Sequence, residues 1–135
     1  MVRVPRLRPD TGLCEFEHVD RWFKANKTAV RESARICTNC PVIAACAQKA
    51  LRLGVTHGVW AGVDMPGTRS AADLEAARRQ LREVIAHPRP AELQLRALQI
   101  RRAIHFAATE RAQPAIRRRR PATPHTAAAT GKRSA

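Results

Sequence analysis

The chain has 135 residues and four Cys, is 44% hydrophobic and only 4% aromatic, and contains no Tyr. That length suits one small domain plus a tail and excludes a large enzyme cleft, and so aromatic-poor a core needs another source of stability, which a bound metal or cluster supplies. The formal net charge is +14 and is uneven, with ten Lys/Arg against six Asp/Glu in residues 1–66 and fifteen against five in residues 67–135, so the second half suits a polyanion, nucleic acid first, with a solvated helix face as the plain alternative.

Residues 1–13 are Pro- and Arg-containing without periodicity and read as a mobile arm ending at Cys14. Their basic start is not followed by the apolar core of a secretory signal. No segment approaches the roughly 18–20 apolar residues of a membrane span. The expected location is the cytoplasm, where stable disulfides are rare and clustered thiols read as ligands or redox groups. The excess of Arg over Lys, 21 to 4, fits a high-GC genome.

Residues 15–34 carry Val19, Trp22, Phe23, Ala29, Val30 and Ala34 near helical spacing, predicting one helix or two short ones. Pro41 starts the next, running from residue 42 to about 53 and stopping at Gly54. Gly58-Val59-Trp60-Ala61-Gly62 reads as a turn, and Pro66-Gly67 punctuates again. Ser70, with Asp73 three residues on, opens a helix over 71–85 with Leu74, Ala77, Leu81 and Ile85 on one face. His87-Pro88-Arg89-Pro90 breaks it. Residues 91–112 are helical again, with Leu93, Ala97, Ile100, Ile104 and Ala107 on one side. From Gln113 the composition cannot bury a core and predicts a disordered basic tail.

The cysteines follow the pattern Cys14-x22-Cys37-x2-Cys40-x5-Cys46. Cys-x2-Cys offers two thiolates to one metal centre, and Cys46, on the helix after Pro41, can fold over the same centre. Four sulfurs match a cubane cluster and also a four-thiolate zinc site. Spacing leaves both open, together with a thiol–disulfide oxidoreductase using Cys37 and Cys40, although no βαβ pattern accompanies that pair. A zinc-stabilised nucleic-acid-binding module is the third reading. His18 and His57 lie near in sequence, but a lone His is more often a surface hydrogen-bonding residue. Trp22, Phe23 and Val42 are candidates for an apolar shell around the sulfurs, and Trp60 for a partly exposed interface anchor.

The run Cys14…Asp20-x-Trp22-Phe23…Cys37-x2-Cys40-Pro41-Val42-x3-Cys46…Ala50…Gly58-Val59-Trp60-Ala61-Gly62 resembles the WhiB-like (Wbl) family of actinobacterial transcription factors, over roughly residues 10–70. The resemblance implies one [4Fe–4S] cluster on Cys14, Cys37, Cys40 and Cys46, sensitive to oxygen and nitric oxide, with intramolecular disulfides after cluster loss. It also implies binding to region 4 of the principal RNA polymerase sigma factor, with Trp60 and its neighbours Gly58, Val59 and Gly62 at the contact. The family turn usually reads Gly-Val/Ile-Trp-Gly-Gly, and Ala61 departs from it. If that position takes a positive φ, Ala costs on the order of 1 kcal/mol. Some members end in an AT-hook centred on Gly-Arg-Pro. Arg117-Arg118-Arg119-Arg120-Pro121 lacks the Gly and reads as a general phosphate-binding run.

The expectation is therefore an all-α protein that is not an enzyme. It comprises a mobile arm (1–13), a helical iron–sulfur domain of three to four short helices with a Gly-Val-Trp turn (14–86), a further helix (91–112) and a disordered basic tail (113–135). Its expected function is redox- or nitric-oxide-responsive transcription regulation with the sigma factor, DNA, or both.

Overall fold

The computed structural model describes residues 4–24 and 26–119, the stretch from 114 onward in backbone only. Two 3₁₀ turns, Leu13–Phe16 and Val19–Phe23, precede helices α1 (Lys27–Thr38) and α2 (Ile43–Leu53). Strands β1 (His57–Trp60) and β2 (Val63–Pro66) follow, then α3 (Ala71–Ala86) and α4 (Ala91–Arg119).

Helix α1 is started by Asn26, whose Oδ1 accepts from the Ala29 N–H at 2.7 Å, one of the donors a helix start leaves unpaired. Ala29, Ser33 and Cys37, four residues apart, form its buried face, and the fully buried Ser33 hydroxyl donates to the Arg21 carbonyl at 3.2 Å. Pro41 disfavours helical backbone at Cys40, which separates α1 from α2. Gly54, at φ 62°, closes α2, and the Val55 N–H reaches the Ala50 carbonyl at 3.2 Å, the bonding of a Schellman stop. Small Ala47 and Ala50 let α2 pack closely on α3, where Leu74, Ala77 and Leu81 complete the larger core with Val63 and Met65.

The expected purely helical architecture is corrected by the antiparallel pair β1–β2, in which Trp60 faces Val63 and His57 faces Pro66. The predicted Gly-Val-Trp turn is one strand of this hairpin plus its two-residue loop. Ala61 and Gly62 both have positive φ, 50° and 79°, the backbone of a type I′ turn, whose twist matches paired strands. Val59, Val63 and Met65 point inward, while Asp64 between the last two is exposed.

Ala61 therefore occupies the position where a side chain is strained, as the sequence comparison with the family turn implies. Ala61→Gly is expected to raise unfolding stability by about 1 kcal/mol, read as a higher urea midpoint at unchanged m-value.

Ser70 caps α3 as expected, its Oγ accepting from the Asp73 N–H at 3.2 Å. Helix α4 continues past residue 112, through Pro114, to Arg119. Its inner face also differs: Ala97 and Arg101 are buried, at 2% and 8% exposure, while Leu93 is 52% exposed. Of the N-terminal stretch, Thr11 and Leu13 are buried, packed rather than free. No described helix is long and apolar enough to cross a membrane.

Candidate metal centre

Cys14 lies on the first 3₁₀ turn and Cys37 near the end of α1, Cys40 in the connection that follows, and Cys46 in the first turn of α2. Four separate local structures thus converge, and all four thiols line one apolar cavity of about 480 Å³. Leu13, Trp22, Val42, Val59 and Trp60 supply much of the remaining wall. Gly12 shows how closely two of the sulfurs approach. A Cβ there would lie 3.2 Å from Cys14 Sγ and 3.8 Å from Cys40 Sγ. All four cysteines are free thiols.

The hairpin explains its own place in the motif. The Trp22 indole and the Gly62 backbone pull the Cys37 thiol down against the upward push of burial, and the Ala61 backbone does the same for Cys46. The Leu13 N–H donates to Cys40 Sγ at 3.5 Å. Cys37, Cys40 and Cys46 thus each have a polar group beside them in an apolar wall, where such dipoles act strongly. These backbone donors have no side-chain signature, so spacing could not reveal them.

The cavity opposes free thiolates. Burial, then the neighbouring Cys40, Cys46 and Cys37 sulfurs and Glu15, push the Cys14 thiol up to about 11. Its residue surface is exposed on the outer side, but the thiol faces the cavity. Burial also raises Cys37, against the donors from Trp22 and Gly62. It raises Cys46 against the Ala61 N–H, with Cys37 and Cys40 adding to the rise and Lys49 opposing it. Four thiolates are tolerable here only around a positively charged core.

A thiol whose folded value is raised stabilises the fold below its ordinary value of 9.0 and loses that contribution as pH climbs toward about 11. Thermal melts of iron-free protein should fall across that window, and less steeply for Cys14→Ser. Parallel curves would contradict the placement of Cys14.

Among the described residues, no group of three or more His, Cys, Asp or Glu is arranged to hold a single metal ion. The four sulfurs line one cavity, and thiolates are ligands for soft metal centres. Neither His18 nor His57 lines it. His18 Nδ1 accepts from the Asp20 N–H, and His57 Nδ1 pairs with the Thr56 hydroxyl.

Trp60 is half-buried, its Nε1 donating to the His57 carbonyl at 2.9 Å. Val59 is buried, and Gly58 lies against Phe23 and the Trp22 carbonyl. Phe23, expected as shell, lines the cavity mouth yet is 56% exposed, as Val19 is at 64%. The basic run lies largely beyond view: Arg120 is outside the described residues, and Arg117, Arg118 and Arg119 are described in backbone only.

The family model for the transcription factor WhiB matches residues 9–81. No curated protein and no solved structure matches the chain. The matched stretch contains all four cysteines and the hairpin, and it stops within α3.

Proposed function

The chain belongs to the WhiB family of transcription factors, not a family of enzymes, and from that premise we propose a redox- or nitric-oxide-responsive regulator that holds one [4Fe–4S] cluster on Cys14, Cys37, Cys40 and Cys46. The observation that carries this reading is the convergence of all four thiols on one apolar cavity. When bound there, the cluster supplies iron that exchanges electrons and reacts with oxygen or nitric oxide.

The chain's own residues do the rest. N–H groups of Leu13, Ala61 and Gly62 and the Trp22 indole solvate the sulfurs in place of water. Trp22, Val42 and Val59 limit solvent access. Because the ligands sit on separate elements, what happens at the sulfurs is transmitted to the packing of α1, α2 and the hairpin.

Trp60, beside exposed Phe23 and Val19, is the proposed anchor for sigma factor region 4, with Gly58, Val59 and Gly62 shaping the turn that presents it. The test is anaerobic loading followed by nitric oxide titration, with sigma region 4 binding measured at each point. Cluster absorbance and binding should change together, and Trp60→Ala should abolish binding. A cluster that ignores nitric oxide, or binding that ignores both perturbations, contradicts the proposal.

DNA contact is assigned to residues 117–120. Four arginines neutralising phosphates contribute about 3–4 to the slope of log K against log salt. Replacing all four with Ala should flatten the slope by about that amount, read by fluorescence anisotropy over a salt series. An unchanged slope removes these residues from the interface.

A further inference from the structure

We propose that α4, with the connection that leads into it, is a latch on the metal centre: Arg89 in the connection and Gln94 and Arg101 on the helix grip the backbone of two ligand-bearing stretches, so that docking of this segment and occupancy of the thiol cavity are coupled. The proposal rests on the cluster reading above. It concerns residues beyond the family match, which ends at residue 81.

Arg101 is the central observation. It is 8% exposed, and its Nη1 donates to the Pro9 carbonyl at 3.0 Å and the Thr11 carbonyl at 3.1 Å. Its Nε is buried without a hydrogen-bond partner. Among the described residues no Asp or Glu pairs with it. A guanidinium buried against neutral carbonyls alone is poorly compensated. Thr11, however, adjoins Gly12, which faces the sulfurs of Cys14 and Cys40. A cubane held by four thiolates carries net negative charge. Arg101 does not itself line the cavity, but the segment it holds leads directly into that wall, and across a medium of low polarity such a charge is the counterpart Arg101 lacks.

The other two side chains hold the second stretch. Arg89 forks across the α1–α2 connection, Nη1 donating to the Cys40 carbonyl at 3.2 Å and Nη2 to the Thr38 carbonyl at 2.6 Å. Gln94 Nε2 donates to the Pro41 carbonyl at 2.8 Å. Residues 9–11 lead into Cys14, and residues 38–41 contain Cys40. Helix α4 and the connection before it therefore tie together the two segments that must separate for the site to open. Phe16, on the Cys14 turn, adds an edge contact to His105 with ring centroids 6.2 Å apart.

Coupling between two such events is reciprocal. A docked α4 slows loss of the cluster, and loss of the cluster leaves Arg101 without its counter-charge and frees α4. Arg117, Arg118 and Arg119 follow in the same helix, so the state of the sulfurs reaches the proposed DNA contact without any change in the arginines themselves.

The test compares wild type, Arg101→Met, Arg101→Lys and Arg89→Met, each loaded anaerobically. Cluster decay under an iron(II) chelator is followed by visible absorbance per loaded chain. Hydrogen exchange of α4 amides is measured with and without the cluster. Arg101→Met and Arg89→Met should each lose cluster about tenfold faster, with Arg101→Lys intermediate. Amides of α4 should exchange faster in iron-free wild type than in loaded wild type. Arg101→Met should lower the Tm of loaded protein more than that of iron-free protein, which a merely packing role would not produce. Arg89 is only partly buried, so its variant keeps the test open if Arg101→Met fails to fold. Wild-type decay rates in Arg101→Met and Arg89→Met, or identical α4 exchange in the two states, overturn the latch while leaving the cluster standing. A wild type that takes up no iron and sulfide overturns both.

Discussion

Cys40→Ser, purified without oxygen, should come out colourless, with iron and sulfide below about a tenth of the wild-type amounts and unfolding stability lowered by about 4–5 kcal/mol or more, the range reached when a bound metal is lost. Cys40 is 7% exposed, and its sulfur takes the Leu13 N–H, so it joins the N-terminal turn to the α1–α2 connection. A serine hydroxyl is a poor, hard ligand that stays protonated, and it leaves an incomplete thiolate set. Because the apolar residues form two modest groups, one under α2 and α3 and one of Trp22, Cys37 and Val59, little else holds the N-terminal half together. Calorimetry of the anaerobic preparation and metal analysis check both parts. A variant retaining wild-type colour and iron would contradict the assignment of Cys40.

Gly58→Ala should destabilise the protein by about 2–4 kcal/mol. Gly58 has φ 90°, a strained conformation for any residue with a Cβ. An added Cβ would also meet the Phe23 ring at 2.8 Å and the Trp22 carbonyl at 3.1 Å. Phe23 is exposed and can swing aside. The carbonyl cannot move without shifting the turn that aims the Trp22 indole at Cys37. Gly54→Ala is the matched control, since Gly54 has φ 62° with nothing within 4 Å of its Cβ position. It should cost only the backbone strain, about 1 kcal/mol. Urea unfolding of the two variants separates strain from contact, and equal losses would show that the Gly58 contact is relieved cheaply.

Much of this site could be read from residue order alone. Cysteine spacing and the Gly-Val-Trp run named the four thiols that the fold gathers. Gly54 as a helix stop and Ser70 as a cap were legible because each acts within a few residues of itself. The hairpin was not. Its strands are four residues long, too short for alternation to register, and they include Gly58 and Pro66, which weaken any strand pattern. The backbone donors to sulfur were equally hidden, since an N–H carries no residue identity. Arg101 escaped for a third reason. An arginine counts toward the polar face of a helix, and its burial depends on carbonyls some ninety positions away. Such partners exist only once the chain has folded.

Stability and proposed function both depend on what the four sulfurs hold. Anaerobically purified full-length protein should contain about four iron and about four acid-labile sulfide per chain, with the broad visible absorption of a cubane. About one zinc per chain, no sulfide and no colour would contradict it.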